Sequence, residues 1–132
     1  PLRRQRQMCI RDRYLALLRS GYEIITFDVE KALKYIESDK ERCIIPDIMI
    51  IARDQKGRIQ KFFCEICLDR KFDAIVNKYN KYKYYYIPQL RKNRNVSPYE
   101  LLIISPVYRE IEGHCVKDDI DSIESFFKTM SI

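Results

Sequence analysis

The run Cys43–Ala52, Cys-Ile-Ile-Pro-Asp-Ile-Met-Ile-Ile-Ala, constrains the fold more than any other stretch of the chain. So continuous an apolar segment suits a strand buried on both faces, and its proline stands near the start, where no ladder hydrogen bond is lost. The expectation is a central strand. Arg53–Arg58, with Gly57, supplies a hairpin turn, and Ile59–Leu68 returns as the partner strand. Side chains alternate along a strand, so Phe63, Glu65 and Cys67 share one face while Phe62, Cys64 and Ile66 share the other.

The flanking segments fill in the layers. Tyr14–Ser20 reads as a short helix stopped by Gly21, and Tyr22–Phe27 as a first strand. Asp28 then caps a segment in which Val29, Leu33 and Ile36 repeat at helical spacing, before the polar cluster Glu37–Arg42. From Asp69 the period is helical again. Phe72, Ile75, Val76, Tyr79, Tyr82 and Tyr86 make one apolar stripe, with Lys71 and Lys78 beside it and Lys81 further round. Pro88 is expected to end this helix and Arg91–Asn95 to be a basic loop. Tyr99–Ser105 reads as another buried strand, and Val107–Cys115 is ambiguous. Asp118 and Asp119 open a last helix with Ile120, Ile123, Phe127 and Met130 on one face.

The length of 132 residues suits one domain, 46% hydrophobic and 33% charged residues suit a globular one, and no run approaches the ~18 apolar residues of a membrane span. A soluble, cytoplasmic protein with no membrane partner is expected. The net charge of +6 points to a polyanion, but residues 1–13 hold five arginines against one aspartate and so carry +4 of it. This leader resembles translated sequencing-adapter readthrough. It is read as non-native or disordered, leaving 14–132 as a single domain, the C-terminal part of a longer protein. Five cysteines at irregular spacing, without a secretion signal, are read as reduced thiols.

The order helix, strand, helix, strand, strand, helix, strand, with Pro46-Asp47 before the hairpin and Glu65 on its return strand, resembles the PD-(D/E)xK nuclease-like superfamily. Within it, Ile45-Pro46-Asp47-Ile48, the run from Phe62 to Cys67 followed by Asp69-Arg70-Lys71, and Lys78-Tyr79 with Tyr82 resemble the replication-relaxation family of plasmid and phage proteins. The resemblance covers roughly Glu23–Ser105. It implies a restriction-endonuclease-like α/β core (α+β mixed) with a central mixed sheet of about four strands flanked by helices. It also implies a DNA-associated role, with partners in a replication or mobilisation complex. In that superfamily the acidic pair, matched here by Asp47 and Glu65, holds Mg²⁺ for phosphodiester hydrolysis, and a lysine orients or deprotonates the water. Cys67 stands in the lysine's place. Lys78, ahead of Lys71, is the expected substitute from the following helix, and Glu30, then Glu23, the expected third carboxylate. The alternative is a non-cleaving DNA- or protein-binding module of the same fold.

Other readings stand beside this one. Pro-Asp before a strand is a common turn, and a lone strand glutamate is usually solvated. Cys64-x-x-Cys67, with His114-Cys115, has a zinc or redox reading, but residues three apart on a strand face opposite ways, which favours core cysteines and an exposed loop histidine. Among the tyrosines, Tyr79, Tyr82 and Tyr86 fall on the buried stripe. Tyr84 and Tyr85, with Lys81, Lys83, Arg91, Lys92 and Arg94, remain as candidate DNA contacts.

Overall fold

The computed structural model describes residues 2–67, 72–93, 99–104, 110–111, 114–115 and 130–131. Helix α1 (Leu2–Arg19) closes on Gly21, whose φ of 80° is the left-handed value that favours glycine. The Tyr22 N–H bonds the Leu17 carbonyl at 3.1 Å and the Gly21 N–H bonds Leu18 at 3.2 Å, which satisfies carbonyls of the last turn. The helix expected from Tyr14 therefore starts at Leu2 and takes in the arginine-rich leader.

Five strands follow: β1 (Glu23–Val29), β2 (Leu33–Glu37), β3 (Lys40–Ile44), β4 (Ile48–Arg53) and β5 (Ile59–Ile66). Helix α2 (Phe72–Lys81) runs through a π turn (Tyr82–Tyr86) into α3 (Ile87–Asn93). Strands β6 (Glu100–Ile104), β7 (Glu110–Ile111), β8 (His114–Cys115) and β9 (Met130–Ser131) complete the described elements. The fold is mixed α/β. Its sheet has the order β1-β4-β5-β6-β9, with β5 and β6 parallel and the other neighbours antiparallel. Four of its strands are long and β9 is a two-residue addition.

The apolar run is not one strand: Cys43 and Ile44 end β3, residues 45–47 break the ladder, and Ile48–Arg53 form β4, an interior strand between β1 and β5. Alternation sends Ile48, Ile50, Phe62, Cys64 and Leu102 to one face, where Leu17 and Ile10 of α1 cover them. Met49, Phe63, Leu101 and Ile103 go to the other face, under Ile75, Tyr79, Tyr82 and the β2–β3 hairpin. Each such side chain contributes about 1.5–3 kcal/mol on full burial. Phe63 anchors the second face, stacked between Tyr82 and Tyr99 at centroid distances of 4.6 and 4.4 Å. Cys64 and Cys67 lie in these opposite cores, which agrees with the core-cysteine reading.

The β4–β5 turn forms around Asp54, whose Oδ1 accepts the N–H groups of Lys56 and Arg58 at 2.9 and 2.8 Å. Those bonds, the Arg58 backbone first, hold its carboxyl below the usual range. Gly57 supplies the positive φ that the turn needs.

Several expected elements differ. The segment after Asp28 is the β2–β3 hairpin rather than a helix. Ser38 and Asp39 take φ values of 51° and 62°, the pair of left-handed residues that a two-residue turn demands, and Leu33 and Tyr35 turn inward while Lys34 does not. Pro88 does not end the helix. The Ile87 N–H bonds back to the Tyr82 carbonyl across the π turn, so Pro88 falls in the first turn of a new α segment, where its missing N–H is tolerated. Arg91 and Lys92 consequently sit in the last turn of α3 rather than in a loop, and Arg94 and Asn95 lie outside the described residues. His114 belongs to β8 rather than to a loop. Met130 is a strand residue paired with Leu101, while residues 118–129 of the expected last helix lie outside the described ones. No helix among the described residues is long and apolar enough to cross a membrane.

Candidate functional site

Asp47 immediately precedes β4, and the register that pairs Ile48 with Cys64 sets position 47 opposite position 65. Glu65 faces the α2 side of the sheet, whereas the Asp47 carboxylate, just outside β4, is met from α1. The Ile66 N–H at the end of β5 donates to Asp47 Oδ2 at 2.6 Å. Asp47 Oδ1 accepts from the guanidinium of Arg6, which also pairs with Glu30 at 2.7 Å. The Glu30 N–H meets the Asp47 carbonyl at 3.3 Å, so Glu30 adjoins the site. Glu23 does not, standing at the other end of β1 with Arg53.

Glu65 has 0% exposure. It is the opposite of a solvated strand glutamate, and its isolation is relieved from α2. Lys78 and Tyr82 lie four residues apart, hence on one helical face, and each takes one oxygen. Lys78 Nζ donates to Glu65 Oε2 at 2.9 Å, and the Tyr82 hydroxyl donates to Oε1 at 3.0 Å. The same ammonium also donates to the Ile45 carbonyl at 2.8 Å, so it bridges the helix to the segment leading into Asp47.

Burial pushes the Glu65 carboxyl up to about 7, against the ammonium of Lys78, which lowers it, and with Asp47 raising it further. Burial and then the Glu65 charge hold the Tyr82 proton more tightly than usual, so the hydroxyl stays a donor.

Lys78 meets Glu65, while Lys71, the other candidate, lies outside the described residues. Composition and motif spacing missed the Tyr82 hydroxyl, although a lysine and a tyrosine at i and i+4 facing a strand glutamate carry that signal. They also missed Arg6, which falls in the leader set apart as non-native.

The donor chemistry here is all hard oxygen, which is what Mg²⁺ takes. The arrangement nevertheless does not fit the ion. Both Glu65 oxygens are already held and none is at the surface, and among the described residues no three His, Cys, Asp or Glu side chains group as ligands.

The candidate nucleic-acid residues divide. Lys81, Tyr84, Arg91 and Lys92 are exposed along the outer side of α2, the π turn and α3. Lys83 is partly exposed, its ammonium 5.3 Å from the Tyr84 ring and 5.8 Å from that of Tyr79. Tyr85 does not join them. It is half-buried and stacks on Tyr35 at 5.8 Å, as the π turn carries it toward the β2–β3 hairpin. Arg94 lies outside the described residues.

No protein-family model matches this chain. No curated protein matches it, and no solved structure does.

Proposed function

We propose that the chain is a DNA-associated, nuclease-like domain of a mobile-element replication or mobilisation protein, with a restriction-endonuclease-like core, and that it binds without cleaving. The observation that carries this is Glu65. It stands where the second member of an acidic pair belongs, opposite Asp47 and beside a lysine, yet both its oxygens are held by Lys78 and Tyr82 inside the core. A residue so placed acts as a structural anchor of the β5–α2 junction. The exposed cations Lys81, Arg91 and Lys92 support the DNA-binding half of the reading, since lysine and arginine rows supply the sequence-independent part of such affinity.

A second reading, Mg²⁺-dependent phosphodiester hydrolysis, is favoured by one observation. Lys78 reaches back from α2 to Glu65, as a lysine displaced from the strand must if it is to serve there.

Incubation of the chain with supercoiled and single-stranded DNA in Mg²⁺ or Mn²⁺ separates the two. Retarded but intact DNA is expected. Nicking that Asp47→Ala and Lys78→Ala both abolish establishes the second reading, and the absence of any retardation removes the DNA role altogether.

A further inference from the structure

The helical run from α2 to α3 contains a dense tyrosine cluster, and all but one of the cluster's rings serve the interior. Tyr79 and Tyr82 are buried, Tyr85 stacks on Tyr35, and Tyr86 packs edge-on against Phe63. Tyr84 alone of these is exposed, at 57%. Its surroundings are cationic. Lys83 approaches the ring, Lys81 lies one turn back on α2, and Lys92 is exposed further along, on α3.

We propose that Tyr84 is a stacking platform for an unpaired base, so that the strand bound by this surface is single-stranded nucleic acid. The inference rests on the DNA-binding reading above and names its substrate class. Duplex DNA offers its phosphates outward and keeps its base faces stacked, so cations alone suffice to hold it. An aromatic ring among those cations gains only where a base face is open to it. Lys83, partly exposed and 5.3 Å from the ring centroid, adds positive charge beside it, where the phosphate of a stacked nucleotide would pass. The helix backing supports the same purpose. Tyr79 and Tyr82 on the reverse side lock the run onto the sheet, so Tyr84 projects from a rigid element.

The test is fluorescence anisotropy of the full chain with a labelled oligo(dT) strand and with a labelled hairpin duplex of matched length. The parent protein, Tyr84→Phe, Tyr84→Leu and a Lys81→Gln/Lys92→Gln double variant are compared. Tyr84→Leu is expected to lose about 5- to 150-fold in affinity for oligo(dT), from a stacking contribution of about 1–3 kcal/mol, while Tyr84→Phe retains it. Duplex binding is unchanged in both. The double variant weakens both DNA forms and flattens their salt dependence. If Tyr84→Leu binds oligo(dT) as the parent does, the stacking proposal is overturned while the DNA-binding reading stands. If the parent binds neither strand nor duplex, both fall.

Discussion

The Lys78 ammonium lies 2.9 Å from Glu65 Oε2, at the rim of a core otherwise built from aromatic and aliphatic side chains. A carboxylate with no exposed atom is costly unless paired and hydrogen-bonded, and here one cation and one hydroxyl from a single helix do both. Docking of α2 on β5 is thereby tied to one geometry. A shift of the helix by one turn would separate both donors from Glu65.

The first prediction follows from that tie. Lys78→Met leaves Glu65 buried without its cation and is expected to cost about 2–3 kcal/mol, below the about 3–5 kcal/mol of a fully buried pair because the lysine side chain is 30% exposed. Glu65→Gln added to Lys78→Met recovers part of the loss. Urea denaturation of the two single variants and the double variant measures the coupling, and strictly additive losses would show that the pair is not acting as one.

Tyr82→Phe removes the hydroxyl that lowers the Glu65 proton affinity, while keeping the ring stack on Phe63. The Glu65 carboxyl should then titrate above its parent value of about 7. Carbon-detected NMR titration of the side-chain carboxyl reads this directly. An unchanged or lowered midpoint would mean that the Tyr82 contact is not made in solution.

Stability should also depend on pH through the same group. Glu65 titrates near 4.5 when unfolded and about 7 when folded. Between those values the folded chain keeps a proton that the unfolded chain has released. Its contribution is therefore full below about 4.5, falls as pH rises toward 7, and is level beyond it, a span on the order of 3 kcal/mol. Glu65→Gln is expected to lose this slope in denaturation measured across pH 4 to 8, and a slope unaltered in the variant would assign it elsewhere.

Gln89 on α3 treats β2 as a neighbouring strand would. Its amide accepts from the Ile36 N–H at 2.8 Å and donates to the Ile36 carbonyl at 2.6 Å, covering part of an edge that β3 does not pair. Gln89→Ala should cost about 1–2 kcal/mol and accelerate hydrogen exchange of the Ile36 amide. Exchange at the parent rate would show that the clamp is open in solution.

The sheet was legible because its signals are local and periodic. The apolar run of β4, the Gly57 turn and the alternation that set Glu65 with Phe63 all act within a few residues. Lys78 was legible too, since a helical phase beside a strand glutamate needs only counting. The β2–β3 hairpin was not, because Ser38-Asp39 lacks the glycine or asparagine that usually announces such a turn, and Leu33 and Ile36 also satisfy a helical spacing. Pro88 misled for a related reason, as nothing in Tyr82–Tyr86 declares a π turn. Tyr85 was placed outward by the same unseen change of phase. The full burial of Glu65 was hidden in a different way, since it depends on which long side chain closes over the strand end.

The central claim is that the acidic pair serves structure and does not receive a divalent ion. Calorimetric titration of Mn²⁺ into the chain tests it most directly, run also on Arg6→Ala so that the guanidinium on Asp47 cannot mask a site. The account predicts no binding that Asp47→Ala removes, in either background. Stoichiometric Mn²⁺ binding abolished by Asp47→Ala and by Glu65→Gln would contradict it and return the site to metal-dependent cleavage.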